Sequence, residues 1–581
     1  MGWGDWPNLP TVHLPHLDRL AAGGARFSQF YAASSICSPS RGAMLTGRLP
    51  IRWGGAGGNW KGTTFGASAV GGLPSQEHTL AEALRERGYA TAMAGKWHLG
   101  QQTHMLPRAQ GFQEYLGLPY STDMGSSAWE FKLTDAALPL LRNEDIVEAP
   151  VDLASLSQKL VDFGTSFIAN ESSRSVPWLL YVGFHQPHVP QAPGPRWCNV
   201  SARGHYGDVL MEMDDMIGQL LLSVSTAGQR EKTLTLFSSD NGPWKDMGEA
   251  GGSGGPLKGG KFTTWEGGVR VPAVFHWPGK IPAGITIDAL ASLLDVYPTF
   301  VAIAKGSADG AHVAGGIQGA ALRFRQFIDG VDLTQLLLNG DGDGAPKFDR
   351  GGCLFFYGGT PGAGCGGPHR QRACPGLWAV RCGPYKRHFV TRDGQRVNPN
   401  VLSHEAFDQT FNRSGHGGRL IYQVEHDPGE SYPLSHHGLP DNLLADMDRE
   451  IERHIATLPG MNGVPEVTNQ VALGQRTNLT LCCSRSLPTS FDPMAANADP
   501  PRWLPPCTCT PANLVPRHIC KPVVPACPMN SGQTSACHNR MRLRVPNELA
   551  RELQRLVPRV ESRSRGRTGE WERGRRGISN N

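Results

Sequence analysis

Short apolar runs alternate with helical patterns over residues 1–345, and this alternation limits the fold more than any other feature of the sequence. Residues 178–185 (WLLYVGFH) and 233–240 (TLTLFSSD) are predicted to be buried strands that end in polar residues. Residues 79–82 (TLAE) form a capping-box pattern that predicts the start of a helix, and the apolar residues within 209–224 fall on one helical face. Strands that alternate with helices predict a largely parallel sheet flanked by helices.

The pattern changes after residue 345, where residues 346–470 are predicted to form a smaller α+β unit with an antiparallel sheet and a helix at about 441–458. Its strand-like pieces are residues 354–357, 377–381 and 420–424. Seven of the thirteen cysteines lie in the segment 471–537. The tail 538–581 contains twelve arginines and too few apolar residues to bury a core, so we expect it to be disordered.

The formal net charge of +5 belongs to this tail, where a solvated charge run is favoured over a site for acidic polysaccharide. The rest of the chain is close to neutral, so nucleic acid is not an expected partner. No apolar run approaches the roughly 20 residues that a membrane span requires, and the first residues do not form a signal-peptide pattern.

The thirteen cysteines and four N-x-S/T sites nevertheless favour passage through the secretory pathway. Zinc binding is an alternative use of the cysteines. Disulfides are favoured because Cys482-Cys483 and Cys507-Thr508-Cys509 do not have the usual spacing of zinc ligands.

The most informative motif is residues 37–47 (CSPSRGAMLTG). Residues 40–46 can begin a helix whose free backbone N–H groups and positive dipole end would face an anion. Arg41 adds a fixed positive charge beside Cys37. The alternative interpretation of this motif alone is a buried structural cysteine next to a surface arginine.

Five other segments place polar residues where predicted strands or loops end. They are residues 94–100 (AGKWHLG), 119–125 (PYSTDMG), 185–190 (HQPHVP), 240–243 (DNGP) and 260–268 (GKFTTWEGG). Each has an ordinary explanation when taken alone, since a histidine is usually a hydrogen-bonded structural residue and Asp-Asn-Gly is a common turn. The oxygens of Asp240 and Asn241 are, however, the hard ligands that Ca²⁺ prefers, and ligands collect at strand ends in open α/β sheets.

In this order, the motifs resemble those of the sulfatase family over about residues 1–460. The resemblance implies an alkaline-phosphatase-like α/β fold with a mostly parallel sheet, and hydrolysis of sulfate monoesters. It implies that the formylglycine-generating enzyme oxidises Cys37 to formylglycine, whose hydrated aldehyde attacks sulfur and later releases sulfate.

The resemblance also implies a role for each site residue. Arg41 and His98 support Cys37, Lys96, Lys261 and Ser121 contact the sulfate, His188 acts with Lys261 as the acid, and Asp240, Asn241 and the modified Cys37 bind Ca²⁺. Residues 143–168 and Cys482-Cys483 are most similar to arylsulfatases G and A. A sulfated small molecule, glycan or glycolipid is therefore the implied substrate, and the lysosome or the extracellular space the implied location.

Residues 1–5 (MGWGD) match a family segment that normally follows a strand ending in two calcium-binding aspartates. Neither aspartate is in the printed sequence, and Asp5 matches a position that binds no metal. We therefore expect the domain 1–345 to lack its first strand and its calcium site to be incomplete. Two alternatives stay open: a phosphonate or phosphate monoester hydrolase, because these oxyanions are also tetrahedral, and a catalytically impaired, non-catalytic protein.

Overall fold

The computed structural model describes most of the chain up to Leu481. The described residues are 12–56, 64–125, 138–305, 327–346, 348–361, 375–389, 391, 420–434, 439–459, 467–468, 470–471, 473, 479 and 481. The predictions for residues 1–11, for most of the Cys-rich segment and for the basic tail therefore lie outside the described residues.

Helices and strands alternate through the first two thirds of the chain, as predicted. The helices are α1 (Pro15–Ala22), α2 (Cys37–Thr46), α3 (Leu80–Arg85), α4 (Leu153–Ser173), α5 (Gly204–Thr226), α6 (Glu266–Val269), α7 (Val296–Ala304), α8 (Thr334–Asn339) and α9 (Leu443–Ala456). The strands are β1 (Ala25–Phe27), β2 (Phe30–Tyr31), β3 (Ala90–Lys96), β4 (Glu114–Leu118), β5 (Leu140–Arg142), β6 (Asp145–Glu148), β7 (Trp178–Gly183), β8 (Thr235–Ser238), β9 (Ala273–His276), β10 (Ile285–Ile287), β11 (Ala291–Ser292), β12 (Leu354–Pro361), β13 (Pro375–Cys382), β14 (Tyr385–His388) and β15 (Leu420–Gln423).

The described strands before residue 345 form three sheets, of which two are mixed and one is a parallel pair. The largest has the order β6-β5-β4-β3-β7, in which β4, β3 and β7 are parallel and the β5-β6 hairpin is antiparallel. Ala94 of β3 pairs with Leu116 of β4 and with Val182 of β7. A second sheet has the order β10-β1-β9-β8, and β11 pairs with β2. The predicted α/β fold is confirmed, with more antiparallel pairing than the sequence indicated.

Local sequence signals explain where several helices begin and which face they bury. Thr79 caps α3 and forms the predicted capping box with Glu82, so that two free N–H groups at the helix start are hydrogen-bonded. On α5 the predicted apolar face is buried at Val209, Met213 and Met216. This face packs toward the core, while α4 lies alongside α5.

Strands β7 and β8 line one cavity of about 1240 Å³, which is also lined by several of the site residues described below, namely Arg41, Lys96, His188, Asp240, Asn241 and Lys261. Among the described strands, β7 pairs only with β3 and β8 only with β9. The predicted strands at residues 178–185 and 233–240 are present, but they are less buried than predicted: most of β7 and β8 is half-buried, and both strands face this cavity.

The C-terminal unit is the predicted antiparallel sheet with a helix. Its order is β12-β13-β14-β15, and β14 is a strand that the sequence did not predict. A disulfide joins Cys353 to Cys382, next to the paired strands β12 and β13. Ile451 and Ile455 of α9 pack in the same apolar cluster as Leu49, so this unit shares a core with the larger domain. No helix in the described part of the chain is long and apolar enough to cross a membrane.

Candidate active site

The polar residues of the site are carried by segments at the carboxyl ends of strands. Lys96 is the last residue of β3, and Ser121 follows β4 in the same parallel arrangement. His188 follows β7, and Asp240 follows β8. Strands β3, β4 and β7 are parallel, so their carboxyl ends lie at one edge of the largest sheet and bring Lys96, Ser121 and His188 to that edge. Asp240 comes from the end of β8 in the second sheet.

Cys37 is the first residue of α2 and is a buried, free thiol. Lys96 Nζ lies 3.6 Å from Cys37 Sγ and donates a hydrogen bond to Ser121 Oγ at 3.0 Å. Burial lowers the pKa of Lys96, while the neighbouring Cys37 favours its charged form. The structure thus brings three of the predicted site residues into one contact group, with an ammonium beside the thiol.

Arg41 lies one turn further along α2 and joins this helix to two strands. Its Nε donates to Asp240 Oδ2 at 2.8 Å, and one terminal nitrogen donates to the Lys96 carbonyl at 2.9 Å and to Tyr181 Oη at 3.3 Å. Burial alone would raise the pKa of Asp240, but the positive charge of Arg41, followed by those of Lys96 and Lys261, lowers it to about 2. Asp240 is therefore ionised at any physiological pH.

Lys261 and His188 form the second pair. Lys261 Nζ lies 2.9 Å from His188 Nε2, and His188 Nδ1 lies 2.8 Å from the Val189 carbonyl. This network assigns the ring proton to Nδ1, which donates to the carbonyl, and leaves Nε2 to accept from the ammonium. Burial and then the charges of Lys261 and Lys96 hold the pKa of His188 well below its ordinary value, so the ring is neutral.

His98 is buried directly after β3 in a left-handed backbone conformation with φ of 62°. Neither of its ring nitrogens has a hydrogen-bond partner among the described residues, so the contact with Cys37 that the resemblance implies is not made as a hydrogen bond. Burial, followed by the charges of Lys96 and Arg41, holds its pKa well below the ordinary value. A neutral imidazole with two free nitrogens remains available to a bound group.

A loop at residues 258–268, called the lysine loop below, fixes Lys261 against the other motifs. The Lys261 amide donates to the Pro243 carbonyl at 2.8 Å, and the Phe262 amide donates to the Ser35 carbonyl at 3.0 Å. The Gly242 amide in turn donates to the Gly268 carbonyl at 3.0 Å. The lysine loop therefore holds the Asp240 turn and the segment before Cys37 in one arrangement.

Sequence reasoning did not assign a role to Trp244, Tyr181 or Asp123. The Trp244 ring lies 5.7 Å from the His188 ring, and Lys261 Nζ lies 4.6 Å from its centroid. An Asp123 oxygen is 4.0 Å from His188 Nδ1. Trp244 and Asp123 stand inside or next to the recognised motifs, which is the one signal that could have indicated them. Tyr181 is on a strand, where an aromatic residue is ordinary.

Asp240 and Asn241 fit part of a cation site. Asn241 Oδ1 is buried and accepts no hydrogen bond from the part of the chain that the structure describes, as expected of an oxygen that binds a metal. Ca²⁺ takes about six to eight oxygen ligands, however, and two side chains cannot supply them. The described residues contain no group of three or more His, Cys, Asp or Glu side chains placed to hold a metal. They therefore do not complete a calcium site.

Comparison with known proteins agrees with this geometry. Residues 7–307 match the Sulfatase family, and residues 349–491 match the C-terminal region of aryl-sulfatase. The chain is 35% identical to arylsulfatase G of Rattus norvegicus, over 83% of this chain and 89% of the relative. It is 36% identical to arylsulfatase A of Homo sapiens, over 83% and 90%.

Among solved structures, the PsFucS1 sulfatase from Pseudoalteromonas sp. superposes with a TM-score of 0.60 at 25% identity, over 76% of this chain and 84% of that one. The predicted alkaline-phosphatase-like fold and the resemblance to arylsulfatases G and A are confirmed. The chain therefore belongs to the sulfatase family and is a sulfuric ester hydrolase.

Proposed function

We propose that this protein hydrolyses sulfate monoesters of sugars through a nucleophile made from Cys37. The observation that carries the proposal is the contact group of Cys37, Lys96 and Ser121, beside the Lys261–His188 pair. The two ammonium groups can bind an anionic ester, and the residue at the position of the buried thiol can then attack the central atom of that ester.

Each residue then has a role in binding, orientation or proton movement. Lys96 and Lys261 neutralise the sulfate oxygens, and Ser121 donates a hydrogen bond to the ester group. Arg41 holds Asp240 and the start of α2 in place. His98 forms a hydrogen bond to the group at position 37 through one of its free ring nitrogens. Lys261 carries the proton for the leaving oxygen and passes it directly or through His188 Nε2, because that neutral ring nitrogen accepts from Lys261.

Formylglycine at position 37, made by the formylglycine-generating enzyme, would supply one hydroxyl for attack on sulfur and a second for releasing sulfate. Asp240 and Asn241 would be two of the ligands of Ca²⁺, which would polarise the sulfate oxygens. The described residues supply only part of that ion's coordination. Substrate binding, orientation and proton transfer are therefore roles of the protein's own side chains.

The leaving alcohol is proposed to be a sugar ring of a glycan or glycolipid. Trp244 lies beside the Lys261–His188 pair and lines the cavity, where an indole can pack against the apolar face of a pyranose. The Cys353–Cys382 disulfide supports a secreted or lysosomal location, because disulfides persist in oxidising compartments.

The test is release of sulfate from 4-nitrophenyl sulfate by full-length protein coexpressed with the formylglycine-generating enzyme. Mass spectrometry of the peptide that contains position 37 measures conversion in the same sample. A Cys37→Ala variant, which cannot be converted, is the matched control and should show no turnover. Converted protein without turnover would refute the proposed mechanism.

The same preparation separates this proposal from phosphate or phosphonate ester hydrolysis. Rates on 4-nitrophenyl phosphate and on 4-nitrophenyl phenylphosphonate are compared with the rate on the sulfate, at equal leaving group. We expect the sulfate to be the best of the three, because the relatives at 35% and 36% identity are arylsulfatases. A higher rate on either of the other two esters would favour the alternative.

A further inference from the structure

A fully buried ionic cluster connects the lysine loop to the C-terminal sheet. Its members are Glu266 at the start of α6, Lys386 and His388 on β14, and Glu430 after β15; none has measurable exposure. Lys386 and His388 are two positions apart on one strand, so their side chains point to the same face. The proposed mechanism uses none of these four residues.

The distances in this cluster make it one continuous network. Lys386 Nζ lies 2.8 Å from Glu266 Oε1 and 3.4 Å from Glu430 Oε1. His388 Nε2 donates to Glu430 Oε1 at 2.6 Å. Arg381 on β13 adds a second buried cation, 3.7 Å from Glu266 Oε2. Two carboxylates are thus balanced by two cations inside the protein.

The network holds the backbone of the lysine loop as well as its side chains. Glu430 Oε2 accepts a hydrogen bond from the Glu266 amide at 2.6 Å, and the His388 ring lies 4.3 Å from the Trp265 ring. Lys258, at the other end of the loop, lies 3.8 Å from the centre of that same Trp265 ring. Both ends of the segment that presents Lys261 are therefore fixed by contacts with the C-terminal unit or with each other.

Phe262, which follows Lys261 directly, has φ of 74°, a left-handed conformation that a residue with a Cβ adopts at a cost. Such a conformation persists only where surrounding contacts hold it. In the lysine loop those contacts are the backbone bonds to Pro243 and Ser35 on one side and the buried cluster on the other.

We propose that Lys386, Glu430 and His388 of the C-terminal unit are positioning residues that act through Glu266 to hold Lys261 against His188. This inference rests on the proposed role of Lys261 in sulfate ester hydrolysis. It gives the C-terminal unit a part in the reaction although none of the three residues touches the substrate. Loss of the cluster should make the lysine loop more mobile. Protonation of the leaving oxygen should then be impaired more than substrate binding.

The perturbation is Lys386→Met, compared with Lys386→Arg and with the control Arg52→Met. Arg52 also forms a buried ion pair, with Asp329 at 2.7 Å, outside the lysine loop. The first readout is amide hydrogen exchange of the peptide that covers residues 258–268. Lys386→Met should speed exchange there by at least about tenfold, while Lys386→Arg and Arg52→Met should leave it within about threefold of wild type.

The second readout is a series of phenyl sulfates of rising leaving-group pKa. Lys386→Met should lower kcat for phenyl sulfate at least about tenfold more than for 4-nitrophenyl sulfate, because the poorer leaving group depends more on the proton. A merely structural residue would lower both rates equally, as Arg52→Met should.

Glu430→Gln is a second variant for use if Lys386→Met does not fold, and the same exchange and rate patterns are expected from it. Unchanged exchange in the lysine loop, or equal rate losses across the series, overturns the proposal. Absence of turnover in the wild-type protein would refute the proposed function instead, and the exchange measurement would still decide the positioning role.

Discussion

Replacing Lys261 with methionine removes the cation that lies 2.9 Å from His188 Nε2 while keeping a side chain of similar length. The charge centres of an ammonium and a protonated imidazole in this geometry are about 4 Å apart. At an effective dielectric constant of about 20, two unit charges at that distance interact by about 4 kcal/mol. Burial, and then the charge of Lys261, therefore oppose protonation of the His188 ring and hold its pKa below the ordinary value.

The direction of the change in the His188 pKa depends on which form of the ring Lys261 disfavours. In the wild-type protein the neutral ring persists as the pH falls below its ordinary pKa, because burial and Lys261 both oppose protonation. In Lys261→Met burial and the more distant charges remain, so the pKa of His188 should rise toward its ordinary value while burial still holds it below that value.

The assay is a carbon–proton correlation spectrum of protein labelled at histidine Cε1, recorded between pH 4.5 and 8. A His188→Gln variant assigns the signal. Lys245→Met is the matched control, because this nearby lysine donates to the Leu257 carbonyl and no contact joins it to His188. A His188 pKa that moves by less than about half a unit in Lys261→Met would show that the lysine charge does not set it, and would refute this reasoning.

Two further predictions concern stability. Arg41→Met leaves the Asp240 carboxylate without its ion-pair partner. It should lower the free energy of unfolding by about 3 kcal/mol, measured by urea denaturation at pH 7. A loss no larger than that of a surface arginine variant would contradict this prediction. Burial lowers the pKa of His454 to about 4. As the pH falls from about 6.5, the unfolded chain therefore binds a proton at this residue that the folded chain excludes, and the folded state loses stability. His454→Gln should reduce the loss of unfolding free energy between pH 7 and pH 5 by about 2 kcal/mol.

Much of the fold follows from local patterns in the sequence. The apolar runs of β7 and β8, the capping box of α3 and the apolar face of α5 are all local, and each was predicted close to its observed bounds. Pairing depends on tertiary contacts, and the antiparallel hairpin β5-β6 was not foreseen because its strands are only three and four residues long.

The site residues were predicted from motif resemblance, which gives identities without distances. The structure adds that Arg41 contacts Asp240, 199 positions away, and that Lys261 contacts His188. Strand β14, with the sequence Tyr-Lys-Arg-His, was missed because hydropathy places lysine and histidine outside. Their burial depends on carboxylates contributed by Glu266 and Glu430, which are distant in the chain.

The charges of the site predict how a cation and an oxyanion should affect each other's binding. Arg41 neutralises Asp240, so Lys96 and Lys261 remain as uncompensated positive charges that repel a divalent cation at Asp240 and Asn241. A sulfate that contacts both lysines would cancel that repulsion, and linkage requires each ligand to tighten the other by the same factor.

Calorimetric titration of Ca²⁺ with and without sulfate, and of sulfate with and without Ca²⁺, should therefore give equal increases in affinity, of at least about fivefold. Lys96→Met should reduce this mutual effect, because with one ammonium gone Ca²⁺ meets less repulsion in the absence of sulfate. Independent binding of the two ions would contradict this electrostatic account of the site.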